Sequence, residues 1–98
     1  VIEKITKRVA FWSNKTGLVY KKLKFRSLEK RWGSCTPDNN IIFNYEAVKL
    51  SYKHIDYLII QELYHTKIKN HSKAFWQKVA LHLLEWRRLD LEMWEMRL

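Results

Sequence analysis

The chain has 98 residues, 47% of them apolar and five of them tryptophan, which fits one folded domain and argues against disorder. Nineteen Lys and Arg against ten Asp and Glu leave a formal charge of +9, favouring acidic partners such as nucleic acid, an anionic membrane surface or acidic polypeptide. The single cysteine, Cys35, excludes an internal disulfide and suits a reducing, cytoplasmic compartment; no apolar run approaches the ~18 residues of a membrane span, and Val1-Ile2-Glu3-Lys4 lacks the apolar core of a signal peptide.

Ile2, Ile5, Val9 and Trp12 recur at helical spacing, with Lys4, Lys7, Arg8 and Lys15 mostly off the stripe, so residues near 2–14 read as an amphipathic helix. Asn14-Lys15-Thr16-Gly17 stops it. From Val19 to Ser27 the pattern alternates, with Val19, Leu23 and Phe25 on one parity and Tyr20, Lys22, Lys24 and Arg26 on the other, as in a half-exposed strand. Lys30 to Thr36 and Ile41 to Tyr45 predict two further strands, and Pro37-Asp38-Asn39-Asn40 between them predicts a hairpin turn. Gly33 marks a bulge or a close backbone approach.

Ser51 is the expected N-cap of a helix that runs through Ile55, Leu58 and Ile59 into Glu62 and His65. A break at Lys69-Asn70-His71-Ser72 follows, with Ser72 as the next N-cap. Phe75, Val79 and Leu83, with Trp76, Ala80 and Leu84, then describe a broad buried face on a helix that breaks near Arg87-Arg88 or continues to Trp94. Helix, three strands and further helices make an α+β domain.

The chemistry lies in Gln61-Glu62-Leu63-Tyr64-His65 and Asn70-His71-Ser72. In the pattern H-E-x-x-H, two histidines at i and i+4 share a helical face and grip zinc while the Glu acts as base. Here Gln61 stands at the first position, Glu62 is the candidate base, His65 the second ligand, and His71 a third arriving from the turn. At about 100° per residue, Gln61, Glu62 and His65 fall within one arc of about 100° and face one cleft. A glutamine offers only a neutral amide oxygen, a poor ligand for an ion that prefers imidazole and thiolate. Natural loss, deliberate substitution and weak oxygen ligation all stay open for Gln61. Cys35 reads as a small hydrophobe in a strand, with a nucleophile paired to a histidine as the alternative; His54 and His82 read as structural or solvated.

Arg31-Trp32-Gly33-Ser34-Cys35, Ile41-Ile42-Phe43-Asn44, Ile55-Asp56-Tyr57 leading into Glu62-Leu63 and His65, and Asn70-His71-Ser72-Lys73-Ala74-Phe75-Trp76 together resemble the YgjP-like metallopeptidase domain, a relative of the WLM and SprT-type zincins. The resemblance spans nearly the whole chain. It implies a small zincin-like fold, a zinc cofactor, a peptide or protein substrate, ligand roles for His65 and His71, and a general-base role for Glu62. The first ligand of that pattern falls on Gln61. The family domain usually ends a longer protein, which fits the start at Val1. The functional alternatives are therefore a zinc-dependent peptidase with an altered ligand set, or a non-catalytic basic module that holds nucleic acid or an acidic partner on the same fold.

Overall fold

The computed structural model describes residues 2–96. Helix α1 (Ile2–Thr16) turns Ile5, Val9 and Trp12 into the core, as its stripe requires. It ends where Gly17, at φ 75°, donates its N–H to the Ser13 carbonyl at 2.9 Å, a left-handed cap that glycine adopts without a steric cost. Arg8 reaches from α1 to Asp56 through two hydrogen bonds of 2.8 and 2.7 Å, fixing the angle at which the helix crosses its neighbour.

Three strands follow, β1 (Lys22–Arg26), β2 (Gly33–Cys35) and β3 (Asn40–Asn44), in the spatial order β1-β3-β2. β3 is central, parallel to β1 and antiparallel to β2. The hairpin joining β2 to β3 is the one the Pro-Asp-Asn-Asn run predicts. Thr36 Oγ1 donates to Asp38 at 2.6 Å, Asn39 donates back to the Thr36 carbonyl at 2.9 Å, and Asn39 takes φ 68°, which an Asx residue tolerates better than most.

Two strand boundaries differ from expectation. β1 begins at Lys22, and Val19 lies outside it at 69% exposure while Leu18 is buried instead. β2 is only three residues long, because residues 28–32 curve around the buried Asn44 side chain. Its Nδ2 donates to the carbonyls of Leu28 and Arg31 at 2.9 Å each, and those carbonyls are thereby lost to any ladder. Gly33 does mark a close approach. A Cβ there would lie 3.0 Å from Phe43 Cδ1 and 3.3 Å from the Ile42 carbonyl oxygen.

A 3₁₀ segment, Tyr45–Lys49, capped by Asn44, leads to α2 (Tyr52–Tyr64), whose N-cap is Ser51 as expected. α3 (Lys73–Ala80) starts at the Ser72 cap, and α4 (Trp86–Glu95) follows a turn. The long final helix with a buried Leu84 is therefore corrected: the helix stops at Ala80, and Leu84 is 92% exposed. The break comes earlier than Arg87-Arg88 because His82 Nε2 meets the Tyr64 hydroxyl at 2.8 Å and Trp86 stacks on Trp76 at 4.3 Å, both pulling the chain off the α3 axis. The core lies between one sheet face and the helices and is filled by Ile41, Phe43, Ile55, Ile59, Phe75 and Leu89, each worth about 1.5–3 kcal/mol of burial. The α+β architecture is as read from the sequence. Among the described residues no helix is long and apolar enough to cross a membrane.

Candidate metal and catalytic site

α2 ends at Tyr64, and His65 is its C-cap, still in helical conformation. The chain then turns back, with Ile68 N–H on the Tyr64 carbonyl at 2.8 Å and Thr66 Oγ1 on the Leu63 carbonyl at 2.6 Å. This turn returns His71 to His65, and their Nε2 atoms lie 3.3 Å apart. Two nitrogens held about 2.0–2.1 Å from one tetrahedral zinc are themselves about 3.3–3.4 Å apart, so the pair has the spacing of two ligands of one ion.

The rings are also aimed. His65 Nδ1 donates to the Ile68 carbonyl at 2.8 Å, which leaves its lone pair on Nε2, the atom facing His71. Burial pushes the His65 pKa down, opposed by that hydrogen bond, and keeps the ring in the neutral form a ligand needs. Ser72, as N-cap, sets Phe75 and Trp76 one turn into α3 beneath the two imidazoles. Phe75 stacks on His65 at 4.3 Å and 11°, Trp76 stacks on His71 at 5.7 Å, and Trp86 backs Trp76. The N-H-S-x-x-F-W run is thus a device for positioning two histidines: Asn70 Oδ1 accepts the Ser72 N–H at 3.0 Å to shape the turn, and the aromatics form the floor.

Gln61 and Glu62 line the same cleft, of about 910 Å³, as His65 and His71. Glu62 is 7% exposed, and burial pushes its carboxyl up to about 8, opposed by the positive charge of Arg31. Among the described residues no group of three or more His, Cys, Asp and Glu is placed to hold a metal ion. The two imidazoles have the spacing and donor chemistry that zinc accepts, and Gln61 lines the same cleft. The set Gln61, Glu62, His65 and His71 is therefore brought together as the spacing predicts.

Three neighbours escaped sequence reasoning. The Tyr57 hydroxyl donates to Asp90 at 2.7 Å, and both line the cleft, tying α4 to α2. Burial raises the Tyr57 pKa, so this phenol stays protonated. Lys69 donates to the Thr36 carbonyl at 3.1 Å and to Asn39 Oδ1, clamping the hairpin onto the histidine turn. None of these pairings leaves a local signal, since 33 residues separate Tyr57 from Asp90 and 33 separate Lys69 from Thr36. Cys35 lines the cleft, but burial pushes its thiol up and away from the thiolate, and its polar neighbours are Thr36 and Lys69, not a histidine.

In comparisons with known proteins, no curated protein sequence matches the chain. Solved structures that share the fold include the metallopeptidase zymogen of Pyrococcus abyssi abylysin, with TM-score 0.80 at 18% identity over 94% of each chain, and the metallopeptidase zymogen of Methanocaldococcus jannaschii jannalysin, with TM-score 0.79 at 18% identity over 93% of this chain and 94% of that one. The family described as YgjP-like, metallopeptidase domain, matches residues 1–95. The chain belongs to the YgjP-like metallopeptidase domain family.

Proposed function

We propose that this chain is a zinc-dependent hydrolase of peptide bonds whose metal site is weakened at one ligand. The observation that carries this reading is the 3.3 Å approach of His65 and His71 Nε2 on the cleft that the buried Glu62 also lines. In it, both histidines hold zinc through Nε2, Gln61 offers its amide oxygen as a third, weak donor, and Glu62 is the general base. Bound there, zinc supplies a Lewis acid that acidifies water and polarises a carbonyl. Glu62 takes the proton from the attacking water and passes it to the departing amine. Its burial makes the carboxylate basic near neutral pH, and Arg31 keeps the ionised form within reach. β2 is one edge of the sheet and borders the cleft, so an extended peptide pairs with it and lies across the site with little demand on sequence.

An amide oxygen in place of imidazole lowers affinity. Loss of even an outer-shell partner costs about 10–100-fold in metal affinity, and loss of a direct ligand costs more. The parent chain should bind zinc weakly and show little or no turnover. Gln61→His should bind zinc tightly and cleave unstructured peptide, and Gln61→His with Glu62→Gln should keep the zinc and lose cleavage. Zinc content and peptide cleavage on these three proteins are the test. If Gln61→His binds zinc no better than the parent, the reading is wrong.

A further inference from the structure

The sheet edge away from the cleft carries a surface that the peptidase reading does not use. Between Lys21 and Arg31 the chain holds six cations and one acid, Glu29. Within β1, Leu23 and Phe25 pack against the core, so alternation places Lys22, Lys24 and Arg26 on the opposite face, Lys22 and Arg26 exposed and Lys24 half-buried. At two residues per step these three lie about 6.6–6.8 Å apart. The register puts them beside Asn40, Ile42 and Asn44 of β3, with Ser34 of β2 beyond; Glu29 borders Ile42 and Ser34 on the β2 side, and the charge of Asp38 reaches Lys21 and Lys24, so the acids near this face are outnumbered by its cations.

Four cations elsewhere are paired, Arg8 with Asp56, Lys49 with Glu46, and Lys53 and Arg88 with Glu85, whereas others such as Lys67, Lys73 and Lys78 on the helical side form no ion pair among the described residues. Among the described residues none of the six from Lys21 to Arg31 forms such a pair. Asp38, at the hairpin turn, accepts instead from the Thr36 hydroxyl at 2.6 Å. β1 is also an edge strand, with β3 on one side and no strand on the other, so part of its backbone is open to pairing.

We propose that the β1 edge docks an extended acidic segment of a partner polypeptide, with Asp or Glu at alternate positions facing Lys22, Lys24 and Arg26. An added strand repeats its same-face side chains at the spacing of β1 itself, so carboxylates meet the three cations in register while the backbones pair. Nucleic acid fits this face less well, because it offers neither a stacking ring nor a helix to enter a groove. The proposal does not depend on metal or on turnover.

The test is fluorescence anisotropy of a labelled peptide with Glu at alternate positions, titrated with the whole chain at low and moderate salt. Lys22→Glu with Lys24→Glu and Arg26→Glu should weaken binding about tenfold or more, since each exposed charge pair is worth up to a few-fold. A control carrying the same charge change on the helical side, Lys67→Glu with Lys73→Glu and Lys78→Glu, should bind like the parent. Methylating alternate peptide nitrogens should weaken binding several-fold, because strand pairing is lost. The neutral variant, Gln at all three β1 positions, guards against misfolding and should show an intermediate loss. Equal loss in the control, indifference to methylation, or tighter capture of a single-stranded oligonucleotide of equal charge on the same three residues would each overturn the proposal.

Discussion

Replacing Glu62 by Gln should stabilise the metal-free protein. The carboxyl is 7% exposed, and burial lifts it from an ordinary value of 4.5 to about 8. Because the folded value is raised, the cost of burying this group is absent below pH 4.5, grows as pH rises towards 8, and then levels off. At about 1.36 kcal/mol per pH unit, that cost is about 3 kcal/mol at pH 7, and water reaching the cleft-facing oxygens reduces it, so a gain of about 1–3 kcal/mol is expected for Glu62→Gln. For a domain of this size the melting temperature should rise by roughly 5–20 °C. The assay is thermal melting of parent and variant in chelator at pH 4, 5.5, 7 and 8.5. Other groups titrate over this range, His65 and His82 among them, so the informative quantity is the difference between the two proteins. That difference should be near zero at pH 4 and widen with pH. A variant no more stable than the parent at pH 8.5, or a gap that does not change with pH, would refute the burial argument.

Asn44→Ala should cost about 2–3 kcal/mol in denaturant unfolding, since two carbonyls and the N–H of Glu46 lose their partner inside the fold. Gly33→Ala should cost about 1–3 kcal/mol, because the new methyl meets Phe43 at 3.0 Å and a backbone oxygen at 3.3 Å; an unchanged melting temperature would show that β2 gives way freely. Phe75→Leu keeps the core filled but removes the ring stacked on His65, and chelator competition should show zinc affinity falling about tenfold with the fold retained.

Much of this was readable in the chain, and the parts that were not share a cause. The Ile5, Val9 and Trp12 stripe, the Gly17 stop, the Ser51 and Ser72 caps and the Pro37 to Asn40 turn are local signals, and each element appears where its signal lies. The four residues of the proposed site were likewise legible, because the i+4 geometry of Gln61 and His65 and the turn before Ser72 are set within about a dozen residues. What escaped depends on distant partners. Residues 30–32 alternate like a strand, yet Asn44 takes the Arg31 carbonyl and bends the segment. Leu84 continues the i+4 row of Trp76 and Ala80, yet the contacts of His82 with Tyr64 and of Trp86 with Trp76 end the helix first. The central place of β3, and Asp90 on the Tyr57 hydroxyl, have no counterpart in local pattern at all.

The most direct test of the account is the zinc coordination shell itself, read by X-ray absorption on the zinc-loaded parent and on Gln61→His. Two imidazole nitrogens at about 2.0–2.1 Å with oxygen completing the shell in the parent, and three imidazoles in the variant, are the predicted result. Zinc without imidazole ligands in the parent, or a shell that Gln61→His leaves unchanged, would contradict it.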